Sequence, residues 1–240
     1  MNQLKNYLSI FSILIALFLL TITSCTGDGN EDGLINNGGV SLGPTQKHNG
    51  HEYVELGLSV KWATYNVGAT APEEYGDYFA WGETTAKTTY NWSTYKYSEG
   101  SEITLTKYCS DPQYGIVDKK SSLELTDDVA RVNWEGRWRM PTLSEWDELR
   151  SNCIWRWTTH NGVKGYEVIS RKNGNIIFLP ATGVRNDDDF RDTGSNGNYW
   201  SSLLLPGSGY YAYGLSFCSS SVDFFTNYRS YGRSVRAVCE

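Results

Sequence analysis

Apolar and polar positions alternate in short runs along most of this chain. Tyr53-Val54-Glu55-Leu56 and Ser59-Val60-Lys61-Trp62-Ala63 alternate on either side of Gly57, the pattern of two short strands. Asp77-Tyr78-Phe79-Ala80-Trp81-Gly82 is another strand-like run, rich in aromatics. Residues 166–170 and 175–179 flank Arg171-Lys172-Asn173-Gly174, and the Asn-Gly pair predicts a hairpin there. Further strand-like runs cover residues 210–217, 221–225 and 234–238. The helical period of 3.6 stands out at one place. Leu143, Trp146, Leu149 and Cys153 share a helix face, and Thr142-x-x-Glu145 just before them is a capping box. A second short helix is predicted over residues 126–132, with Asp127 and Asp128 near its positive end. Two short helices followed by many strands give the α+β class, and no internal period of 20–50 residues points to a solenoid or propeller.

The N-terminal segment has a different pattern. Lys5 is the only charge before Asp28, and residues 7–22 are almost purely apolar. The run ends in Ile22-Thr23-Ser24-Cys25, which resembles a bacterial lipobox: an aliphatic residue, two small ones, then the cysteine that is acylated before cleavage. Residues 1–25 are therefore expected to be a lipoprotein signal peptide with its lipobox cysteine. Acyl chains on Cys25 would tie the mature chain to a lipid membrane, because two chains suffice for stable anchoring. A membrane-spanning helix that ends at a thiol is the competing reading. Residues 26–49 are rich in Gly and Asn, with little to bury, and read as a flexible tether before a domain at 50–240. Asp28, Glu31 and Asp32 follow the acylated position, as in surface-exported lipoproteins of Bacteroidetes, so an outer-membrane, cell-surface location is expected. His48 and His51 read as a solvated junction between tether and domain.

Composition narrows the function. The 240 residues are 40% hydrophobic and 14% aromatic, enough to fill a core. The formal charge is −6, or −7 once Lys5 leaves with the signal peptide, and no basic run exists to neutralise phosphates. Nucleic acid is excluded as a partner.

Trp138-Arg139-Met140-Pro141-Thr142-x-x-Glu145-Trp146 resembles the helix signature of the formylglycine-generating-enzyme branch of the C-type lectin fold. The ordered series of segments is similar to the Fibrobacter succinogenes major paralogous domain, found in Bacteroidetes lipoproteins. That series runs from Tyr53–Thr64 through Gly76–Glu83 and Tyr199-Trp200-Ser201-Ser202 to Gly232-Arg233-Ser234-Val235-Arg236-Ala237-Val238. The resemblance implies a C-type lectin-like domain in which the first and last strands pair. It carries over no activity. The formylglycine-generating enzymes hold copper with two neighbouring C-terminal cysteines, whereas residues 226–233 here contain no thiol. No cofactor, no metal and no catalytic residue are assigned, and the chain is read as not an enzyme.

His160 falls in an expected turn and reads as solvated rather than as a catalytic base. Asn186, Asp187, Asp188, Asp189 and Asp192 form an oxygen-rich loop suited to a hard cation, but without EF-hand spacing, and a solvated acidic tip is the preferred reading. Cys109, Cys153, Cys218 and Cys239 allow three disulfide connectivities in an exported chain, and the sequence does not choose among them.

The C-terminal third is the informative part. Residues 173–239 contain no Lys, Glu, Gln, Met or His. Within residues 195–231, 22 of 37 are Tyr, Ser, Asn or Gly. Antibody-type binding surfaces have this composition, since Tyr supplies contact area at low entropy cost and Ser, Gly and Asn supply adaptable hydrogen bonds. An ordinary β-rich half with polar turns is the alternative. Randomised Asn codons in retroelement-diversified lectin folds never yield Lys, Glu, Gln, Met or Trp, and this segment lacks them apart from Trp200, which belongs to the fixed scaffold. The expectation is a surface lipoprotein that binds a protein or glycan ligand through Tyr210, Tyr211, Tyr213, Phe224 and Tyr228. A structural or assembly subunit of an envelope or fimbrial complex is the rival.

Overall fold

The computed structural model describes residues 43–240. The signal peptide, Cys25 and residues 26–42 of the expected tether lie outside the described residues. Regular structure is present before residue 50, however. Thr45–His48 (β1) pairs antiparallel with His51–Val54 (β2), His48 opposite His51. Asn49 and Gly50 make the turn with φ of 45° and 84°, the left-handed pair that a two-residue hairpin requires and that Asn-Gly supplies cheaply. Lys61–Ala63 (β3) follows, with Tyr53 opposite Ala63.

Residues 64–124 are mostly irregular. The expected strand at residues 77–82 forms no ladder: it makes an isolated bridge, Phe79 to Arg233, and single N–H bonds from Asp77 to Val67 O at 2.9 Å and from Trp81 to Arg229 O at 2.8 Å. Its partner is itself irregular, so no ladder propagates. Helix α1 spans Val129–Trp134, later than the expected 126–132. Asp128 is its N-cap, accepting from the Ala130 and Arg131 amides, and Leu125–Asp127 forms a separate 3-10 turn. Helix α2, Leu143–Asn152, has the capping box as read: Thr142 and Glu145 each accept the other's amide. Trp146 and Leu149 are buried and Leu143 is half-buried.

The chain then runs through Cys153–His160 (β4), Val163–Ser170 (β5), Ile176–Pro180 (β6), Val184–Asn186 (β7), Asp189–Arg191 (β8), Gly197–Leu204 (β9), Tyr211–Cys218 (β10), Ser221–Tyr228 (β11) and Val238–Cys239 (β12). Four antiparallel sheets result, in the orders β1-β2-β3-β12, β4-β5-β6, β7-β8 and β11-β10-β9. The predicted hairpin at Asn173-Gly174 joins β5 to β6, with Gly174 at φ 76°. The α+β class holds. The last strand pairs with β3 rather than with the first strand, Val238 facing Trp62. Of the run 234–238 only Val238 enters that strand, because Ser234 and Arg236 bond elsewhere. Among the described residues no helix is long and apolar enough to cross a membrane.

Two apolar clusters fill the interior. One holds Trp81, Trp138 and Trp200, the other Trp62, Trp146 and Tyr199. Strand alternation explains the split, since successive side chains of β9 and β3 point to opposite faces. Three arginines are also buried, Arg229, Arg233 and Arg236, and among the described residues none has a carboxylate partner. Arg236 donates instead to Asn66 Oδ1, Ala63 O, Thr64 O and Phe178 O at 2.8–3.1 Å, tying the β3 end to β6. Arg233 lies between the Trp200 and Phe225 rings, 4.7 and 4.0 Å from their centroids, and burial pushes its guanidinium down to about 9. Carbonyl cages and aromatic faces replace counter-ions here.

Candidate recognition face

The β10–β11 hairpin turns at Ser219-Ser220, and its register places Tyr211 opposite Tyr228, Tyr213 opposite Thr226 and Leu215 opposite Phe224. These pairs lie on one face of the hairpin. Leu215 and Phe217 sink into the second core cluster, whereas the face at the far end, from Tyr213 outward, is half-exposed.

None of Tyr210, Tyr211, Tyr213, Phe224 and Tyr228 is buried. The structure brings three of them together. Tyr210 and Tyr211 have centroids 4.6 Å apart, and Tyr228 lies 5.0 Å from Tyr211 and 5.9 Å from Tyr210. Among the described residues Tyr213 makes no such ring pair. Phe224 is away from the cluster: it packs against the second core, under the Arg150 guanidinium at 4.7 Å. The cluster gains three rings that the sequence reading did not name. Tyr231 is 5.5 Å from Tyr228, Trp92 is 6.0 Å from Tyr228, and Tyr114 is 5.1 Å from Tyr210. All six are half-exposed, none is charged, and most pairs are tilted or edge-to-face, the arrangement that ring quadrupoles favour. The Tyr211 phenol is raised above its ordinary pKa, chiefly by its Tyr228 partner and then by burial. Burial and the Tyr210 phenol raise Tyr114 likewise. Both shifts favour the neutral phenol.

No family model, no curated protein and no solved structure matches this chain.

The acidic loop is exposed, as expected of a solvated tip, and it also bonds to the segment that carries Trp92. Asp187 and Asp188 form the β7–β8 turn, and among the described residues no group of three His, Cys, Asp or Glu side chains is placed to hold a metal. Asp187 Oδ1 accepts from Asn91 Nδ2 at 2.8 Å, and Asp188 Oδ1 accepts from the Thr89 hydroxyl at 2.5 Å. Asn91 in turn caps the 3-10 turn Trp92–Thr94. Trp92 thus reaches Tyr228 through a polar chain that begins on the acidic turn.

The other titratable residues are also placed. His160 is buried, not solvated: it ends β4 against Phe178, with Nε2 3.8 Å from Glu73. His48 and His51 are not a solvated junction either. His48 Nε2 accepts the Arg137 amide at 2.8 Å, and His51 stacks on Trp134 at 4.1 Å. Cys109, Cys153 and Cys239 are buried free thiols. Cys218, also free, is half-exposed at the β10–β11 turn, where the Ser220 and Ser221 hydroxyls lower its thiol to about 7.

Proposed function

We propose that this chain is a lipid-anchored protein of the bacterial outer membrane, held at the cell surface by acyl chains on Cys25. Its domain adopts a C-type lectin-like fold and binds a protein or glycan ligand through the tyrosine-rich face. One observation carries the binding reading: six neutral aromatic side chains from three separate stretches of chain converge without being buried. A core would have covered them, and a merely soluble surface has no reason to assemble them. The fold assignment is supported by the Thr142–Glu145 cap and by complete burial of Trp200 and Arg236, which lie in the segments shared with the resembled domain.

The test uses full-length acylated protein in detergent, probed on glycan arrays and on surface-protein arrays. Tyr211→Ala and Tyr228→Ala should weaken any specific binding by about 2 kcal/mol if the rings are hot spots, at little cost in stability. Binding indifferent to both substitutions sinks the assignment. Cys25→Ser should release the protein from membrane fractions, and its retention there would refute the lipid anchor.

A further inference from the structure

Strand β11 stands at the edge of its sheet, and among the described residues its one strand neighbour is β10. The register decides which main-chain groups this leaves free. Cys218 faces Ser221 across the two-residue turn, and at the other end the Arg229 N–H donates to Tyr210 O at 3.0 Å. Residues 221, 223, 225 and 227 therefore exchange their bonds with β10. The N–H and C=O of Val222, Phe224 and Thr226 point the other way, and none has a partner among the described residues. Tyr228 closes the row. Its N–H goes to Asn227 Oδ1 at 2.7 Å, and its C=O accepts from Tyr231 at 3.1 Å.

Exposed edges of this length are usually blunted by lysine, proline or a bulge. The opposite edge of the same sheet is covered: the amides of Trp200, Ser202 and Leu204 on β9 bond to Ser234, Pro141 and Ser121. The other open eight-residue edge, β4, carries Arg156, ion-paired to Glu167. β11 has no lysine, proline or bulge, and its one charge is Asp223, 3.6 Å from Arg150.

We propose that the β11 edge is a strand-addition site for an extended segment of a partner protein, which lies along residues 222–226 and ends against the aromatic cluster. This rests on the reading of that cluster as a recognition face and names the partner's conformation. Free donors and acceptors that repeat every second residue, about 7 Å apart, are satisfied together by another strand. The half-exposed side chains of Val222, Phe224 and Tyr213 beside them offer apolar contact to alternate residues of the incoming chain. Charge selects against a second copy of this chain. The protein carries −6, and self-pairing would bring two Asp223 edges together, whereas a neutral or basic segment meets no repulsion.

The probe is a fluorescent peptide of alternating valine and threonine with lysine at both ends. Its twin has alternate backbone nitrogens methylated, which removes the donors from one edge. Both are titrated into the full-length protein by fluorescence anisotropy. Thr226→Pro deletes an outward N–H without touching a β10 bond. It should weaken the plain peptide at least tenfold with an unchanged circular dichroism spectrum, and the methylated twin should bind no variant. Where proline disturbs the fold, Thr226→Lys, a charge on the edge, replaces it with the same expectation. If Thr226→Pro binds like wild type while Tyr228→Ala does not, strand addition is overturned and the aromatic face stands. No binding to wild type up to about 1 mM also overturns it. So does a dimer in sedimentation that Thr226→Pro abolishes, since the edge then belongs to a second copy.

Discussion

Tyr199 and Trp200 are neighbours in the chain but bury their rings in different apolar clusters, on opposite faces of β9. Trp200 Nε1 donates to Phe79 O at 2.8 Å, and its ring covers the Arg233 guanidinium. Tyr199 OH donates to Pro180 O at 2.7 Å, next to Trp146. Trp200→Ala opens a cavity and exposes a buried cation that has no carboxylate to turn to. It should cost ~3–5 kcal/mol or more in denaturant melts. Tyr199→Phe keeps the ring and loses one hydrogen bond, so about 1 kcal/mol is expected. Equal losses would mean that the two clusters are not separately packed.

The start of α2 combines a cap with an ion pair. Thr142→Ala should cost about 1 kcal/mol through the lost cap, and Trp146→Ala ~3–5 kcal/mol through its cavity. Glu145 adds a pH dependence. Although burial works against its ionised form, the bidentate Arg139 pair at 2.6 and 2.8 Å and the Thr142 amide hold its carboxyl below the ordinary 4.5. A lowered carboxylate contributes stability that is complete above its unfolded value and is lost as pH falls through the folded one. Melting temperature should therefore drop on the acid side of pH 4.5, and Glu145→Gln should flatten that drop while lowering stability at pH 7. A parallel acid limb in both proteins would remove Glu145 as a source.

His48 ties the β1–β2 hairpin to the segment after α1. Its Nε2 accepts the Arg137 amide, its carbonyl accepts Trp138 Nε1 at 2.8 Å, and neighbouring Asn49 donates to Trp134 O. Burial lowers the imidazole below 6.5, assisted by the charges of Arg137 and Lys61. A histidine held neutral in the fold contributes stability above its unfolded value of 6.5, which is lost as pH falls further. Since β1 is an exposed edge of four residues, the loss should be local. Hydrogen exchange of the β1 amides should accelerate between pH 7 and pH 5 relative to those of β5, after correction for intrinsic rates. Uniform protection across that range would disprove the latch.

Local chemistry made part of this architecture legible. Thr142-x-x-Glu145 specifies its cap within four residues, and Asn173-Gly174 specifies its turn within two, so both read directly from the chain. The composition of residues 195–231 pointed to the half of the molecule where Tyr210, Tyr211, Tyr228 and Tyr231 meet. Trp92 and Tyr114 are different. They join those rings from about a hundred residues away, and nothing near them in sequence marks the encounter. β1 escaped because Thr45-Gln46-Lys47-His48 is polar on both faces and has no alternation to follow; its only local sign is Asn49-Gly50. Residues 77–82 alternate like a strand, but the strand state also needs a regular neighbour, which pattern alone does not supply.

The polar chain from Asp187 through Asn91 to Trp92 gives the last prediction. Asp187 is exposed, yet its carboxylate orients the Asn91 amide whose oxygen caps the Trp92–Thr94 turn. Asp187→Ala leaves the backbone bridge between Tyr90 and Asp187 intact, so the β7–β8 hairpin should persist. Stability should fall by ~1.5–3.5 kcal/mol, because the lost bond adds to the strain of Ala on the left-handed backbone at position 187, φ 52°. The effect on the aromatic face should be larger than that figure suggests, because Trp92 has no other side-chain restraint from the acidic turn. Hydrogen exchange at the Thr94 and Tyr95 amides should rise, and any ligand measured against the face should bind more weakly to Asp187→Ala than to Asp189→Ala, whose carboxylate meets Arg191 at 3.7 Å and not Asn91. Calcium should change neither result, since among the described residues no three carboxylate or imidazole side chains converge to hold an ion. If calcium protects the Trp92–Thr94 turn in wild type and not in Asp187→Ala, the loop is a cation site and the polar chain is secondary.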